Sequence, residues 1–366
     1  RLAKRGVRFT HTYVGTWCMP SRATALTGLL PHGIESLRMG EKYPRCDYDP
    51  ELCRHWPSEF RKAGYYTGFI GKWHTGSDDG AGRDWDYSAV WNHTLPSKYG
   101  GYYSNQKISF NGGDPLAVGG YSTDNYTGWA IDFLNERAEE RETPWYLYLC
   151  YDAVHGPYTP ADRHKEAYRD TPPVPVPADI FPPRPTKPSH MVNYCQWEMN
   201  EDGSPVGLDE AVRKYNRAVL ALDEGVGRVL EALESTGQAE NTLVVFTSDQ
   251  GFAWGQHGFK WKYAPYDANL KAPLIIRWPG RITAGEVCYH PVGGHDLIPT
   301  FFAAAGIDLP WEMHGRDIRP LLTDPGSSWQ HPLLMENTGR LFGSDTRISN
   351  VLSAGGFPCW VFLREG

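Results

Sequence analysis

The sequence has no apolar run long enough to cross a membrane and no run of basic residues. A transmembrane helix needs roughly 20 consecutive apolar residues, so we expect no membrane span. The formal net charge is −7, whereas nucleic-acid-binding domains usually present a basic surface, so we expect no nucleic-acid partner. With 40% apolar and 22% charged residues, the composition is typical of a globular protein.

The sequence also lacks an initiator methionine and a signal peptide. Its first nine residues instead resemble the last turn of a helix, a stop at Gly6 and the start of a strand. We therefore expect the chain to be part of a longer protein. It has 7 cysteines, and an odd number leaves one thiol unpaired if all others pair. Cys46 and Cys53 are close enough for a local disulfide, although spacing alone does not establish one.

Short apolar segments alternate with amphipathic segments along the chain, which is typical of an α/β fold. Strands are predicted at residues 66–70, 145–150, 243–247 and 274–278. Helices are predicted at about 123–141, 209–236 and 296–305. Because the strands are short, apolar and bounded by glycine, proline or polar residues, we expect a mainly parallel central sheet flanked by helices.

A proline-rich segment at residues 171–189 interrupts this pattern. Proline removes a backbone donor, so the segment is predicted to be neither a helix nor a central strand. We interpret it as a long surface loop, with a linker between two domains as the alternative. The loop is favoured because helix and strand patterns continue on both sides of it.

The first candidate motif is C-M-P-S-R at residues 18–22. Pro20 is typical of the first turn of a helix, so Cys18 is predicted to lie at a helix N-terminus. Backbone N–H groups and the helix dipole favour an anion there. Arg22 lies one turn further along the helix and can reach the same anion. The pattern therefore predicts an anion-binding site beside a thiol that can be modified.

Further motifs lie at the ends of predicted strands or in the loops that follow them. They are G-K-W-H at 71–74, D-A-V-H-G-P at 152–157, S-D-Q-G at 248–251 and H-G at 257–258, followed by Lys262. Parallel α/β sheets place ligand sites at the carboxyl ends of their strands, so we expect these segments to converge on one rim. Lysine and arginine side chains there would donate hydrogen bonds to an anion.

In this order, the motifs resemble those of the formylglycine-dependent sulfatases of the alkaline phosphatase superfamily. The resemblance runs from Leu2 to about Leu322, and the common substrates of the family favour a carbohydrate sulfatase. It implies an alkaline phosphatase-like fold, with a sulfatase catalytic domain at residues 1–322. Residues 323–366 would begin a smaller C-terminal α+β subdomain. The family's first strand is absent from the chain and is expected upstream of Arg1.

The resemblance also implies a set of catalytic residues, which are Cys18, Arg22, Lys72, His74, His155 and Lys262. In that family a maturation enzyme oxidises the cysteine to formylglycine, whose hydrate supplies the nucleophilic oxygen. Lys72 and Lys262 would bind sulfate oxygens, and motif spacing favours Lys262 over Lys260. His74 would contact the formylglycine hydroxyl, and His155 would protonate the leaving group as a general acid.

A metal site is implied by the same resemblance, with Asp249, Gln250 and the modified Cys18 as ligands. Ca²⁺ is expected and Mg²⁺ is the alternative, since both prefer oxygen ligands. Gln250 departs from the family's usual asparagine or histidine, although its amide oxygen can still ligate a hard cation. The first strand of the family normally ends in an acidic pair. We reject Asp78 and Asp79 as a substitute because no strand precedes them.

These inferences predict a sulfuric ester hydrolase that acts in the degradation of sulfated polysaccharides. The aromatic and polar stretch at residues 85–103 is a candidate sugar contact, with an ordinary packed loop as the alternative. Arg83 and His93 are the cationic candidates for binding an acidic or sulfated sugar. One alternative is a phosphonate or phosphate monoester hydrolase of the same superfamily. Another is an inactive relative that binds sulfated glycans, which only Gln250 favours. By analogy, a periplasmic or secreted location is expected, and the oligomeric state is left open.

Overall fold

The computed structural model describes residues 1–34, 38–39, 46–47, 49–337 and 360–364. The strands are β1 (Val7–Tyr13), β2 (Arg38–Met39), β3 (Cys46–Asp47), β4 (Tyr66–Trp73), β5 (Tyr87–Asn92), β6 (Gln106–Phe110), β7 (Leu116–Val118), β8 (Trp145–Cys150), β9 (Val244–Thr247), β10 (Ala253–Trp254), β11 (Lys260–Trp261), β12 (Leu274–Arg277), β13 (Val287–Gly293), β14 (Leu333–Asn337) and β15 (Trp360–Arg364). The helices are α1 (Cys18–Thr27), α2 (Pro57–Lys62), α3 (Pro96–Tyr99), α4 (Ser122–Glu139), α5 (Leu208–Ser235), α6 (Asp267–Leu270), α7 (Leu297–Ala305) and α8 (Arg319–Thr323).

The predicted α/β fold is confirmed, and the long predicted elements lie close to their expected positions. Strand β8 has the predicted bounds, whereas β4 continues three residues further, to Trp73. Helix α5 begins with acidic residues in its first turn, which favours a helix N-terminus. Its apolar residues recur at helical spacing, so one face can pack against the sheet.

Two sheets carry the candidate site. In the five-stranded sheet, of order β7-β6-β5-β4-β8, strand β4 lies parallel to both β5 and β8. In the four-stranded sheet, of order β13-β1-β12-β9, only β1 and β13 are parallel, and β12 runs antiparallel to both β1 and β9. The pairing is thus more mixed than expected. A buried apolar strand has the same composition in either direction, so its sequence does not reveal its orientation.

Helices cover the sheets on both faces. Helices α4 and α5 pack together against strands β8 and β9 through Phe133, Leu134, Leu230 and Leu233. A second core cluster joins β1 and β12 to α2 and α7, and Trp56, Phe60 and Phe302 are among its buried residues.

A cavity of about 1730 Å³ lies between the two sheets. Its walls include residues 146–152 from β8 onward and residues 243–250 around β9. Among the described residues, β8 pairs only with β4, and β9 pairs only with β12. Each strand therefore turns an unpaired edge toward the other sheet. The cavity reaches Arg22, Lys72 and Lys262 at the end where both strands finish.

The proline-rich segment forms no long helix or strand, as predicted, and packs against the rest of the chain. The Asp179 carboxylate in this loop accepts hydrogen bonds from the backbone N–H and Nδ1 of His257. The loop thus holds the segment that leads to Lys262. No helix in the described part of the chain has the length and apolar character needed to span a membrane.

The C-terminal strands β14 and β15 form an antiparallel pair that contacts the main body of the protein. Leu333 and Met335 pack with Tyr13 and Leu270 in a buried cluster. The expected C-terminal subdomain stays a prediction, because much of residues 338–366 lies outside the described residues. The side chain of Cys46 also lies outside them, so its pairing with Cys53 stays a prediction as well.

Candidate active site

Cys18 is the first residue of helix α1, as the sequence predicts. Trp17 precedes it in an extended conformation, and Pro20 occupies the first turn, where a missing N–H costs nothing. The Cys18 side chain is only 1% exposed. Lys262 Nζ donates a hydrogen bond to Cys18 Sγ at 3.4 Å. A lysine distant in the sequence is thereby brought to the helix N-terminus.

Arg22 joins the helix to the ends of two strands. Its Nε donates to Asp249 Oδ2 at 3.0 Å, just beyond β9. Its Nη1 donates to the backbone oxygen of Lys72 at 2.8 Å, near the end of β4. The guanidinium is almost completely buried, and buried charges of this kind require such partners. Arg22 therefore positions α1, β4 and β9 around one centre.

Positive charge dominates the surroundings of residue 18. Burial alone would raise the pKa of the Cys18 thiol, but the ammonium groups of Lys262 and Lys72 outweigh it and lower that pKa to about 7. Burial also opposes ionisation of Asp249, yet Arg22 and the two lysines lower the pKa of this carboxyl to about 2. The site therefore stabilises negative charge at residue 18 and at the carboxylate beside it.

The pH dependence of alkylation of unconverted Cys18 should report the effect of the nearby positive charges on its thiol. Since the thiolate is the reactive form, iodoacetamide labelling of Cys18 should rise with a midpoint near pH 7. Lys262→Met removes a positive charge next to the sulfur, so the midpoint should move to higher pH. The measurement is the labelled fraction of the peptide containing Cys18, by mass spectrometry, in protein treated with a chelator.

Lys260→Met is the matched control for this experiment. Lys260 Nζ lies 4.2 Å from the centre of the Trp197 ring and does not contact Cys18. Its loss should leave the labelling midpoint unchanged. An equal midpoint in the wild type and in Lys262→Met would show that Lys262 does not act on residue 18.

Lys72 lies in the last part of β4, and His74 is the first residue after that strand. Lys72 is only 2% exposed, and burial lowers its pKa. Burial, reinforced by the charge of Lys72, holds the pKa of His74 well below its ordinary value. His74 is therefore neutral near pH 7, and one of its ring nitrogens carries a lone pair.

Gly71 allows β4 to approach β8 closely just before Lys72. Its φ is +111°, and a Cβ there would lie 1.9 Å from the backbone oxygen of Cys150. Gly71→Ala should therefore reduce the free energy of unfolding by about 2–4 kcal/mol, measured by urea denaturation. Gly64→Ala is the control, because its φ is +91° but no atom lies within 4 Å. Equal losses in both variants would show that the close contact has no effect.

His155 lies in the loop after β8 and faces the same centre. Its Nδ1 is 2.8 Å from the backbone oxygen of Gly156, so Nδ1 carries the proton that makes this hydrogen bond. Its other ring nitrogen, Nε2, is directed toward the hydroxyl of Tyr102 at 3.5 Å. Burial, followed by the charges of Lys72 and Lys262, lowers the pKa of His155 to about 4.

Tyr102 is a site residue to which the sequence assigned no catalytic role. Its ring stacks on the His155 ring, with centres 4.4 Å apart and planes at 5°. Its hydroxyl lies 2.8 Å from Nε2 of His93, and the His93 ring is 4.5 Å from that of His74. Tyr102 and His93, both from the aromatic stretch at residues 85–103, thus line one wall of the site. The tyrosines of this stretch alone did not show which of them would face His155.

Asp152 is buried two residues after the end of β8 and three residues before His155. Its Oδ2 accepts hydrogen bonds from Gln106 Nε2 at 2.6 Å and from Tyr126 at 2.8 Å. Burial raises its pKa to about 6, although both hydrogen bonds oppose that shift. The network connects the residue after β8 to β6 and α4, so it supports the loop that carries His155.

Other cationic candidates lie outside the site. Arg83 makes ion pairs with Asp78 and Asp84, and therefore does not point at Cys18. His164, to which the sequence assigned no role, lies 2.9 Å from a Glu224 carboxylate oxygen. Of the cations named from the sequence, the structure brings together Arg22, Lys72 and Lys262.

Asp249 and Gln250 are the described residues that suit a metal ion. The Oε1 atom of Gln250 is buried without a hydrogen-bond partner, and a hard cation would satisfy such an oxygen. The carboxylate of Asp249 is ionised, as a ligand must be. Within the described ranges, no cluster of three or more histidine, cysteine or acidic residues could hold a metal. The two side chains fit part of a coordination shell.

Comparisons with known proteins identify relatives of this chain. An N-acetylglucosamine-6-O-sulfatase of Bacteroides thetaiotaomicron is 28% identical over 386 residues, covering 90% of this chain and 66% of the relative. The N-acetylglucosamine-6-sulfatase of Homo sapiens is 27% identical over 365 residues, covering 92% of this chain and 62% of the relative. The chain thus spans slightly less than two thirds of the length of these relatives.

A solved structure of a protein in complex with its substrate, D-glucosamine-2-N,6-O-disulfate, has the same fold. The TM-score is 0.78 at 25% identity, covering 92% of this chain and 77% of that chain. The expected alkaline phosphatase-like α/β fold is thereby confirmed. The family model described as Sulfatase matches residues 1–307. Because that match spans most of the sequence, the chain belongs to the sulfatase family.

Proposed function

We propose that this protein hydrolyses sulfate esters of carbohydrates at the centre around Cys18. The observation that carries the proposal is the contact of Lys262 Nζ with Cys18 Sγ at the N-terminus of α1. Arg22 and Lys72 lie beside the same centre. Three cations around a helix N-terminus suit a tetrahedral anion, since charge-assisted hydrogen bonds to its oxygens are strong.

The nucleophile is proposed to be formylglycine, produced from Cys18 by a maturation enzyme. In the present chain Sγ of Cys18 stands in for the oxygens of the aldehyde hydrate. The lowered pKa of Cys18 supports this, because a field that favours a thiolate also favours an oxyanion at the same position. The hydrate would supply the oxygen that attacks sulfur. Lys262 would stabilise negative charge on that oxygen and on the sulfate.

His155 is proposed to protonate the leaving oxygen. In the free protein its pKa of about 4 leaves the imidazole mostly neutral at pH 7. A bound sulfate ester places negative charge beside the ring, which raises the pKa of His155 and favours the imidazolium. After the transfer, residue 18 would carry the sulfate on one oxygen and a hydroxyl on the other. His74, which is neutral and buried, would accept the proton of that hydroxyl while the C–O bond to the sulfate breaks, which restores the aldehyde and releases sulfate.

A bound Ca²⁺, with Mg²⁺ as the alternative, would act as a Lewis acid toward a sulfate oxygen. Asp249 and Gln250 would hold it, because one is an ionised carboxylate and the other a buried amide oxygen without a partner. Arg22 would keep the carboxylate oriented through its hydrogen bond to Oδ2.

The remaining metal ligands are proposed to come from an extended segment in the cavity between β8 and β9. Both strands offer an unpaired edge there, and the walls are largely apolar. A strand in this cavity would pair on both sides, as buried strands do. It would end near Asp249, where the resemblance to sulfatases implies an acidic pair. Residues 1–322 would then be one catalytic domain.

The proposed substrate class is a sulfated amino sugar within a glycan. Two relatives are named as sulfatases that act on the 6-sulfate of N-acetylglucosamine. Tyr102 is half-buried beside His155, so part of its aromatic ring remains accessible to a sugar ring. A periplasmic, secreted or lysosomal-type location would be consistent with a glycan substrate, and we propose export from the cytosol.

The test measures the rates at which the purified, matured protein hydrolyses sulfate, phosphate and phosphonate esters. Sulfate release from N-acetylglucosamine 6-sulfate and 4-nitrophenyl sulfate should proceed with multiple turnovers. Rates on 4-nitrophenyl phosphate and on a phenyl phosphonate ester should be lower. Faster phosphonate hydrolysis would instead support the monoester hydrolase alternative. Tight binding of sulfated glycans without turnover, in protein that contains formylglycine, would support the inactive relative.

A further inference from the structure

Tyr102 contacts the proposed general acid through both its ring and its hydroxyl. The Tyr102 and His155 rings are stacked, with nearly parallel planes at 5° and centres 4.4 Å apart. The hydroxyl lies between two imidazoles, 2.8 Å from Nε2 of His93 and 3.5 Å from Nε2 of His155. One side chain therefore determines the plane of the His155 ring and also meets the nitrogen that would exchange a proton.

The other contacts of His155 leave Nε2 as the reactive atom. Nδ1 donates to the backbone oxygen of Gly156. The backbone oxygen of His155 accepts a hydrogen bond from Tyr103. These two contacts hold the backbone and one ring nitrogen, so proton transfer at the site must occur through Nε2. Lys72 Nζ lies 5.4 Å from the centre of the Tyr102 ring, which places Tyr102 beside the cationic centre.

The tyrosine hydroxyl carries a single proton, so it can donate to only one of the two imidazoles. The shorter distance favours donation to His93. An oxygen lone pair then faces His155 and can accept a hydrogen bond from Nε2–H. This arrangement stabilises the form of His155 that is protonated on both nitrogens, which is the form a general acid needs. At 3.5 Å the contact is weak enough for a leaving oxygen to replace it.

We propose that Tyr102 is a positioning residue for His155, and that its hydroxyl, held by His93, favours the proton on Nε2. The proposal rests on the proposed function, because it assigns Tyr102 a role in protonating the leaving group. The ring sets the orientation of the imidazole by stacking, whereas the hydroxyl acts on the proton. The two contributions can be separated, because phenylalanine keeps the ring and removes only the hydroxyl.

The experiment measures kcat and KM of Tyr102→Phe with two sulfate esters. A sugar alkoxide needs protonation as it leaves, whereas 4-nitrophenolate leaves without help. The variant should therefore lose about tenfold in kcat on N-acetylglucosamine 6-sulfate, because general acid catalysis contributes on that order or more. Its kcat on 4-nitrophenyl sulfate should change less than about twofold, and KM should change little for either.

Tyr99→Phe is the matched control, since Tyr99 belongs to the same stretch but is buried in an apolar cluster with Trp91 and Ile108. It should leave both rates unchanged. Equal losses on the two esters in Tyr102→Phe, or no loss on either, would overturn the positioning role. If the matured wild type releases sulfate from neither ester, the proposed function itself fails and the role of Tyr102 fails with it.

Discussion

Cys18→Ala is expected to lower sulfate ester turnover by about a thousandfold or more, because removal of a nucleophile leaves only binding and electrostatic stabilisation. Alanine cannot be oxidised to an aldehyde, so no attacking oxygen forms at the head of α1. The substitution removes one buried sulfur atom, so the fold should persist with a modest loss of stability. Measurement of kcat on 4-nitrophenyl sulfate, with the melting temperature recorded for each protein, checks both statements.

Cys195→Ala provides the comparison for this variant. Cys195 is a half-buried cysteine whose sulfur bonds to the backbone oxygen of Ile180, and it lies in the loop region away from α1. Its loss should leave turnover within about twofold of the wild type. Wild-type rates in purified Cys18→Ala would show that the nucleophile has been assigned to the wrong residue.

Lys72→Met is expected to lower kcat/KM by about 100-fold to 1,000-fold, since a buried charge aimed at developing negative charge is worth several kcal/mol in the transition state. Methionine retains most of the side-chain volume. Lys72 is buried and its pKa is lowered by desolvation, so the folded protein bears a cost for its charge. Removal of that charge should leave the melting temperature unchanged or higher.

In Lys72→Met, kcat/KM should fall while the melting temperature stays the same or rises, and this combination distinguishes a substrate-binding lysine from a structural one. A merely structural lysine would lose stability and activity together. Lys62→Met, at an exposed lysine on α2, should change neither quantity. If Lys72→Met melts well below the wild type and activity falls only in proportion to the unfolded fraction, Lys72 does not bind the substrate.

The structure brings several residues that the sequence singled out to one centre, whereas it pairs the strands less regularly than the sequence suggests. Cys18 begins a helix, Lys72 lies near the end of a strand, and His155 and Asp249 follow strands, so short motifs report their positions. The preference for Lys262 over Lys260 came from motif spacing, and the structure places Lys262 against residue 18. The direction of the strands was harder to predict, because the apolar residues of β9 and β12 fit a parallel or an antiparallel strand equally well.

The role of Tyr102 and the cavity between the sheets could not be predicted from the sequence. Tyr102 lies between Tyr99 and Tyr103 in a stretch where each tyrosine is an equally good candidate. Only tertiary packing selects the one that stacks on His155. Likewise, no local pattern shows that β8 and β9 turn unpaired edges toward each other, because strand pairing is a long-range property.

The most direct test of the account is the chemical state of residue 18 in protein that has passed through a maturation-competent host. Trypsin should release residues 9–22 as one peptide in which position 18 is the only site of a cysteine. We predict that this peptide carries an aldehyde, detected by its mass and by hydrazide capture, in a fraction that rises in proportion to sulfatase activity. Full activity in protein whose peptide carries only unmodified cysteine would contradict the account.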